Sequence, residues 1–292
     1  MTSIHVKART SPYPGTTDIS RTPVLDDKVP WTVNWSDYKP REYTEQFVLT
    51  KPVWADDSDA KKIKHYNEVD ENIDRTSFIG KYEIDKETNR PKNPQGRTGL
   101  SGRGLLGRWG PNHAGDPIVT RWAKTEHNDK KKVLEIILIN RRDSGELAIP
   151  GGMVNAGEHV SAAIKREFIQ EAINSNADGA KHVDELFKTA VSIYKGYVDD
   201  PRNTATNMHD ETGELTKDLK LEAGNDASHV KWYRLDRDHN LYASHEKMIQ
   251  IVIEKHGAYK YWHDHPNSTK STLRCGDIAI ELFFSMKYFN TS

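Results

Sequence analysis

The chain has 292 residues, 35% of them hydrophobic and 29% charged, with a formal net charge of -1. This is the balance of a water-soluble protein of one large or two ordinary domains, and it excludes the strong basic excess of a general nucleic-acid binder. One cysteine, Cys275, rules out an intrachain disulfide, and no run approaches the roughly 20 apolar residues of a membrane span.

The N-terminal stretch MTSIHVKARTSPYPG is too short for a targeting helix and is interrupted by Pro12 and Pro14. It reads as the start of the folded protein, which as it stands would be cytoplasmic. Residues 1–125 are rich in Pro, Gly, Trp and Tyr and lack long helical periodicity. Residues 29–35, VPWTVNW, alternate well enough for a short strand. Residues 93–117 hold seven glycines in 25 positions, with Arg97, Arg103 and Arg108 spread among them. Such a stretch suits either a phosphate-holding loop, where amides and guanidinium forks meet anions, or an irregular packed connection between domains. No Gly-Lys-Ser or Gly-Lys-Thr closes it, so it is not a Walker loop.

After the polar run at 126–132 the pattern changes. VLEIILINRR is β-branched and strand-like, and GELAIPGGM predicts a second strand ending in a glycine turn. Residues 160–175 have helical spacing, and 182–190 predict a second helix. VSIYKGYV and HVKWYRL predict strands, and residues from Ser244 predict a last helix with Met248, Ile251 and Val252 on its apolar stripe. Strand, strand, helix, strands, helix is the order of an α/β sandwich. The tail 266–292 is expected to be poorly ordered.

The chemistry concentrates at 151–172, GGMVNAGEHVSAAIKREFIQEA. Glu167 and Glu171 are four apart and share one helix face, with Gln170 beside them. Two like charges there cost a few tenths of a kcal/mol unless a cation compensates, and Mg²⁺ favours one or two carboxylates with water and substrate phosphates. A solvated acidic face is the competing reading of that pair alone. The full spacing is Gly152, five residues, Glu158, seven residues, then Arg166-Glu167-Phe168-Ile169-Gln170-Glu171. It resembles the signature box of the Nudix hydrolases, with Gln170 in place of a glutamate and Ile173 in place of a glycine.

The resemblance implies an α/β/α sandwich with a mixed sheet, preceded by an irregular β-containing N-terminal domain. The division is expected as 1–125 and 126–265. It also implies hydrolysis of a nucleoside diphosphate derivative with bound Mg²⁺ or Mn²⁺. Position by position, Glu158, Arg166, Glu167 and Glu171 are the catalytic set, and Gly151, Glu167 and Glu171 the metal set. Arg166 would orient a glutamate. The general base stays open among Glu158, Glu167 and Glu222.

The segments GRTGLSGRGLLGRWGPNHAGDPIVTRW, YKGYVDDPRNT, HDETGEL and LYASH resemble the ADP-ribose pyrophosphatases of mitochondrial type within this family. Less closely, they resemble the ADP-ribose-sensing domain of melastatin-type cation channels. The implied reaction takes ADP-ribose to AMP and ribose 5-phosphate in a cleft between two domains, in a monomer, with a mitochondrial location and neither nucleic acid nor membrane as partner. The alternative is an ADP-ribose sensor with little turnover. On this resemblance Arg97, Asp200, Arg202, Tyr242 and Ser244 are the candidate substrate-binding residues. His245 reads as a helix-start residue. The chain departs from these relatives after Thr204, where they carry about ten more residues including a strand. The short connection at 204–209 is therefore expected to disturb the sheet.

Overall fold

A computed structural model describes residues 5–124, 132–141, 144–172, 183–216 and 230–259, with backbone only at 171, 172 and 230. The expectations for Glu222, Cys275 and the tail 266–292 fall outside these residues, as does the side chain of Glu171.

The centre of the molecule is one long strand. β5 (Gly110–Trp122) is buried until its last two residues. Its second half, IVTRW, is β-branched and fits a packed sheet. Its first half, GPNHAGDP, is polar and glycine-containing. It is nonetheless a strand because neighbours pair with it on both sides. β10 (Asn207–Thr216) runs parallel to it from Asn207 opposite Gly110 to Thr216 opposite Val119. On the other side Thr120–Trp122 pair with β6 (Leu134–Asn140), and Ala114 and Gly115 with the short β8 (Gly152–Met153). β11 (Val230–Arg234) adds to β6, and β9 (Val191–Val198) to β10, giving the order β11-β6-β5-β10-β9 in a mixed sheet. The even shorter β7 (Leu147–Ala148) also pairs with β6.

Helices cover both faces. On one face α2 (Val160–Ala172) buries Ile164 and Phe168 with Val119, Ile137 and the helical residues 183–187. Gly115 makes this close, since a Cβ there would lie 2.5 Å from Ile164 Cγ1. On the other face α3 (His245–His256) buries Met248, Ile249, Val252 and Ile253 against Ile118, Leu134, Ile136, Leu138 and Leu215. Gly257 ends α3 at φ 59°, a left-handed position that glycine adopts without strain. The expected α/β/α sandwich is present, and residues 134–140, 191–198 and 230–234 are strands as expected.

The N-terminal part contains β1 (Arg41–Thr44), α1 (Gln46–Leu49), β2 (Val69–Asp70), β3 (Ile73–Asp74) and β4 (Leu100–Gly104), with β1 parallel to β4. Residues 29–35 are not a strand. The guanidinium of Arg97 donates to the carbonyls of Lys28 and Pro30 at 2.9 and 2.6 Å and of Val33 at 2.9 Å. Gathering three nearby carbonyls on one cation turns the chain and leaves no ladder. Arg103 does the same for Asp56 and Gly107, at 2.5 and 2.9 Å. The glycine-rich stretch is thus a packed connection leading into β4 and β5. At Gly99 (φ 78°) the backbone of Thr22 lies 2.0 Å from where a Cβ would stand.

β5 precedes the boundary expected at 125/126 and forms the middle of the sheet. The short connection at 204–209 leaves no gap, because β10 takes the place beside β5 and is paired on both edges. Its turn is held by the N-terminal part. Asn93 Nδ2 donates to the carbonyls of Thr204 and Asn207, both at 3.1 Å, Thr204 Oγ1 to Gly102 O at 2.6 Å, and Asn207 Nδ2 to Arg103 O at 2.7 Å.

Candidate active site

The box folds as a loop followed by α2. Glu158 ends the loop, and its carboxylate accepts the Asn155 amide at 2.9 Å. Arg166, two turns into the helix, donates to both Glu158 oxygens at 2.9 Å through Nε and Nη2. The bidentate fork is the geometry in which an Arg–carboxylate pair is strongest. The Arg166 hydrogen bonds hold the Glu158 carboxyl below the usual glutamate range against a smaller opposing effect of burial. Arg166 also reaches the carbonyl of Met153 at 3.0 Å and makes a short contact with Glu167. It is therefore the brace between loop, strand β8 and the helix carboxylates. Both Glu158 oxygens accept hydrogen bonds within this brace.

Glu167 is half-buried and lies over the glycine pair. A Cβ on Gly152 would stand 2.4 Å from Glu167 Cδ, and one on Gly151 would stand 1.9 Å from Asp116 Oδ1. Only glycines leave room for both carboxylates against this turn. The cradle fits a divalent cation. One oxygen of Glu167 meets Arg166, and the charges of Glu158, Arg166 and Glu167 sum to a net negative site before Glu171 is added. Gln170 is exposed. Its amide has an oxygen but no charge with which to hold an ion.

Behind the turn is a buried polar group. Asp116, Glu211 and His245 are 2%, 3% and 5% exposed, and ligating atoms of all three lie within 4.8 Å of one another. His245 Nε2 is 3.3 Å from Asp116 Oδ2 and 3.7 Å from Glu211 Oε1. Its Nδ1 accepts the Ile149 amide at 3.0 Å. Burial opposes the charge of Glu211. Hydrogen bonds with Asp116, His209 and His245 outweigh it and hold that carboxyl well below its usual range.

The candidate substrate residues are placed as follows. Asp200 is 1% exposed and accepts three hydrogen bonds from Arg202, at 2.7 Å from N, 2.9 Å from Nε and 2.7 Å from Nη2. Tyr242 Oη donates to both of its oxygens at 3.2 Å. Burial alone would raise the Asp200 pKa, but the Arg202 charge and hydrogen bonds hold it well below the ordinary value. Ser244 Oγ accepts the Asp199 amide at 3.0 Å. These four residues thus tie the 199–203 loop to the start of α3. Asp200 is a buried counter-ion of Arg202. Arg97 is brought to none of them; its fork is filled by backbone carbonyls.

A cleft of about 320 Å³ opens between the N-terminal part and the box loop, lined by Asn72, Asp74, Arg108, His113, Asn155 and His159 among others, with Glu158 at its wall. Among the described residues neither ring nitrogen of His113 has a hydrogen-bond partner, although the residue is only 7% exposed. Burial lowers the pKa of that imidazole, so it stands neutral in the cleft wall. Asp116, His113 and Glu211 escaped the sequence reading. They lie in glycine-rich or wholly polar runs with no period that marks them as buried. The helix-start position of His245 was legible, and its contacts with Ile149 and Asp116 were not.

A family model described as NUDT9-like, N-terminal domain matches residues 24–110. The chain is similar to the mitochondrial ADP-ribose pyrophosphatase of Rattus norvegicus, at 49% identity over 280 residues, covering 87% of this chain and 79% of that protein. It is 45% identical over 268 residues to putative nudix hydrolase 6 of Caenorhabditis elegans, covering 88% of this chain and 99% of that one. A transient receptor potential cation channel subfamily M member-like 2 of Nematostella vectensis is 44% identical over 283 residues, but those make up 18% of the channel. Among solved structures, a MutT/nudix family protein from Enterococcus faecalis aligns with a TM-score of 0.36 at 19% identity, over 50% of this chain and 61% of that one.

Proposed function

The chain belongs to the Nudix hydrolase family, in the branch of the mitochondrial-type ADP-ribose pyrophosphatases, and from this premise we propose that it hydrolyses ADP-ribose to AMP and ribose 5-phosphate. The observation that carries the reading is the Glu158–Arg166–Glu167 brace over the Gly151–Gly152 turn, in a chain 49% identical to a protein of that name.

The cation is divalent, and we take it to be Mg²⁺, held by Glu167, Glu171 and the Gly151 carbonyl. When bound, it neutralises the pyrophosphate and lowers the pKa of a water beside it. The residues of the chain do the rest. Arg166 fixes the orientation of Glu167 and keeps Glu158 ionised. The glycine pair lets the carboxylate lie close to the backbone. The cleft bordered by Arg108, His113 and Glu158 is the place we assign to the substrate, with Arg108 as the cation facing its phosphates. Asp200, Arg202, Tyr242 and Ser244 act one layer further out, by setting the 199–203 loop against α3. We place the protein in mitochondria, on the name of its rat relative, as a monomer. The division between substrate-cleft part and hydrolase part we place near Gly110, where β5 begins.

The test is direct. Purified chain with ADP-ribose and Mg²⁺ is assayed for AMP and ribose 5-phosphate. Equimolar products that vanish with a chelator support the reading. Saturable ADP-ribose binding without AMP would replace it by the sensor.

A further inference from the structure

The buried group of Asp116, Glu211 and His245 has the composition of a cation site, but its hydrogen bonds give it another direction. His245 Nδ1 accepts the Ile149 amide at 3.0 Å. In a neutral imidazole the proton then sits on Nε2. That nitrogen faces Asp116 Oδ2 at 3.3 Å and Glu211 Oε1 at 3.7 Å, so a donor meets two acceptors. A cation would need the Nε2 lone pair, and moving the proton to Nδ1 would set N–H against the Ile149 N–H. The three side chains form one buried unit, with the imidazole anchored on the Ile149 amide and its Nε2 facing both carboxylates.

That unit grips the turn beside the proposed metal. His245, from α3, holds the backbone at Ile149. Asp116, from β5, fills the space against Gly151, 1.9 Å from a Cβ position there. Glu167, from α2, fills the space against Gly152. The residues from Ile149 to Gly152 are therefore held at three points by elements on both faces of the sheet.

We propose that His245 and Asp116 are positioning residues for the cation site: they fix the turn from Ile149 to Gly152 so that the Gly151 carbonyl and the Glu167 carboxylate present oxygens to one divalent ion. This rests on the reading of Glu167 as a cation ligand. Residues that orient ligands in this way change metal affinity by ten- to a hundredfold when removed.

The experiment uses Mn²⁺ as probe on the full chain, with bound ion read by electron paramagnetic resonance and the KM for ADP-ribose read at saturating Mn²⁺. His245→Ala is expected to weaken Mn²⁺ binding about tenfold with KM within about twofold. His245→Asn places its amide oxygen where Nδ1 meets the Ile149 amide, and it is expected to recover affinity to within about threefold of the native chain. His245→Gln fills similar volume without that acceptor. It must weaken binding as alanine does, and it stands in should the alanine variant fail to fold. Native Mn²⁺ affinity in both the alanine and glutamine variants overturns the proposal. So does a raised KM with intact Mn²⁺ affinity, which would place His245 on the substrate. Glu167→Gln reports on the underlying reading: unchanged Mn²⁺ binding there removes the cation site itself. Weakened binding in Glu167→Gln but not in the His245 variants removes only the positioning role.

Discussion

Substituting Gly152 by alanine separates the function of the turn from its stability. The added Cβ would stand 2.4 Å from Glu167 Cδ, with both carboxylate oxygens within 2.7 Å. Non-bonded carbons settle at about 3.5 to 4.0 Å, so the carboxyl group must retreat by about 1 Å. It can do so, because it is the end of a flexible, half-buried side chain. The retreat disturbs a partly exposed contact with Arg166, worth at most about 1 kcal/mol. Gly152→Ala is therefore expected to unfold within about 1 kcal/mol of the native chain. A catalytic ligand displaced by about 1 Å costs roughly a hundredfold in rate. Gly151→Ala is the contrast. Its Cβ meets the buried Asp116 Oδ1 at 1.9 Å and the backbone oxygen of Gly115 at 2.9 Å, and it should cost about 1–3 kcal/mol of stability. The assays are urea unfolding and AMP formation at saturating Mg²⁺. Full activity in Gly152→Ala would mean that the Glu167 carboxylate does not hold the cation where the account puts it.

Other outcomes follow from the same geometry. Arg97→Ala removes a buried cation from three carbonyls and should destabilise the chain by about 3 kcal/mol. The KM for ADP-ribose of the folded fraction should be unchanged, whereas a phosphate-binding arginine would raise it. Burial depresses the His5 imidazole to about 3, aided by Arg9 and Arg21 and opposed by the Gln95 backbone carbonyl as an acceptor. The unfolded chain takes up that proton near pH 6.5 while the folded chain does not. Stability is thus complete above pH 6.5 and declines as pH falls toward 3. Between pH 7.5 and 5.0 the native chain should lose about 2 kcal/mol more than His5→Asn in denaturant unfolding. Equal losses would show that His5 is not held neutral. Gln170→Glu restores a charge beside the cation and should lower the Mg²⁺ concentration for half-maximal rate severalfold; an unchanged value would place residue 170 away from the ion.

Much of this was legible in the chain, for physical reasons that differ by segment. Residues 134–140 are an almost continuous apolar, β-branched run because both faces of the strand are packed, Leu134, Ile136 and Leu138 in one core and Ile137 in the other, whereas 160–172 have the three- to four-residue spacing of a helix with one apolar stripe. That Arg166 orients a glutamate was implied by the family resemblance of the box, and its fork onto Glu158, in the loop before the helix, is visible only in the fold. β10 was not legible as a strand. Asn207, His209, Asp210, Glu211 and Thr212 are polar and buried, so its pairing is decided by β5 and β9 rather than by its own pattern. Arg97 and Arg103 of the glycine-rich stretch were open to two readings for a related reason. A guanidinium that suits phosphate also suits backbone carbonyls, and only the fold shows which acceptors are near. Asp200 and Arg202 attract attention as ligands, yet two residues apart on one turn they neutralise each other.

The most direct test is AMP release from ADP-ribose by the native chain and by Glu167→Gln, each across a Mg²⁺ titration. The account predicts metal-dependent turnover in the native chain and a loss of at least about a hundredfold in the variant, with both chains folded alike. Equal turnover in the two, or none in either at any Mg²⁺ concentration, would contradict it.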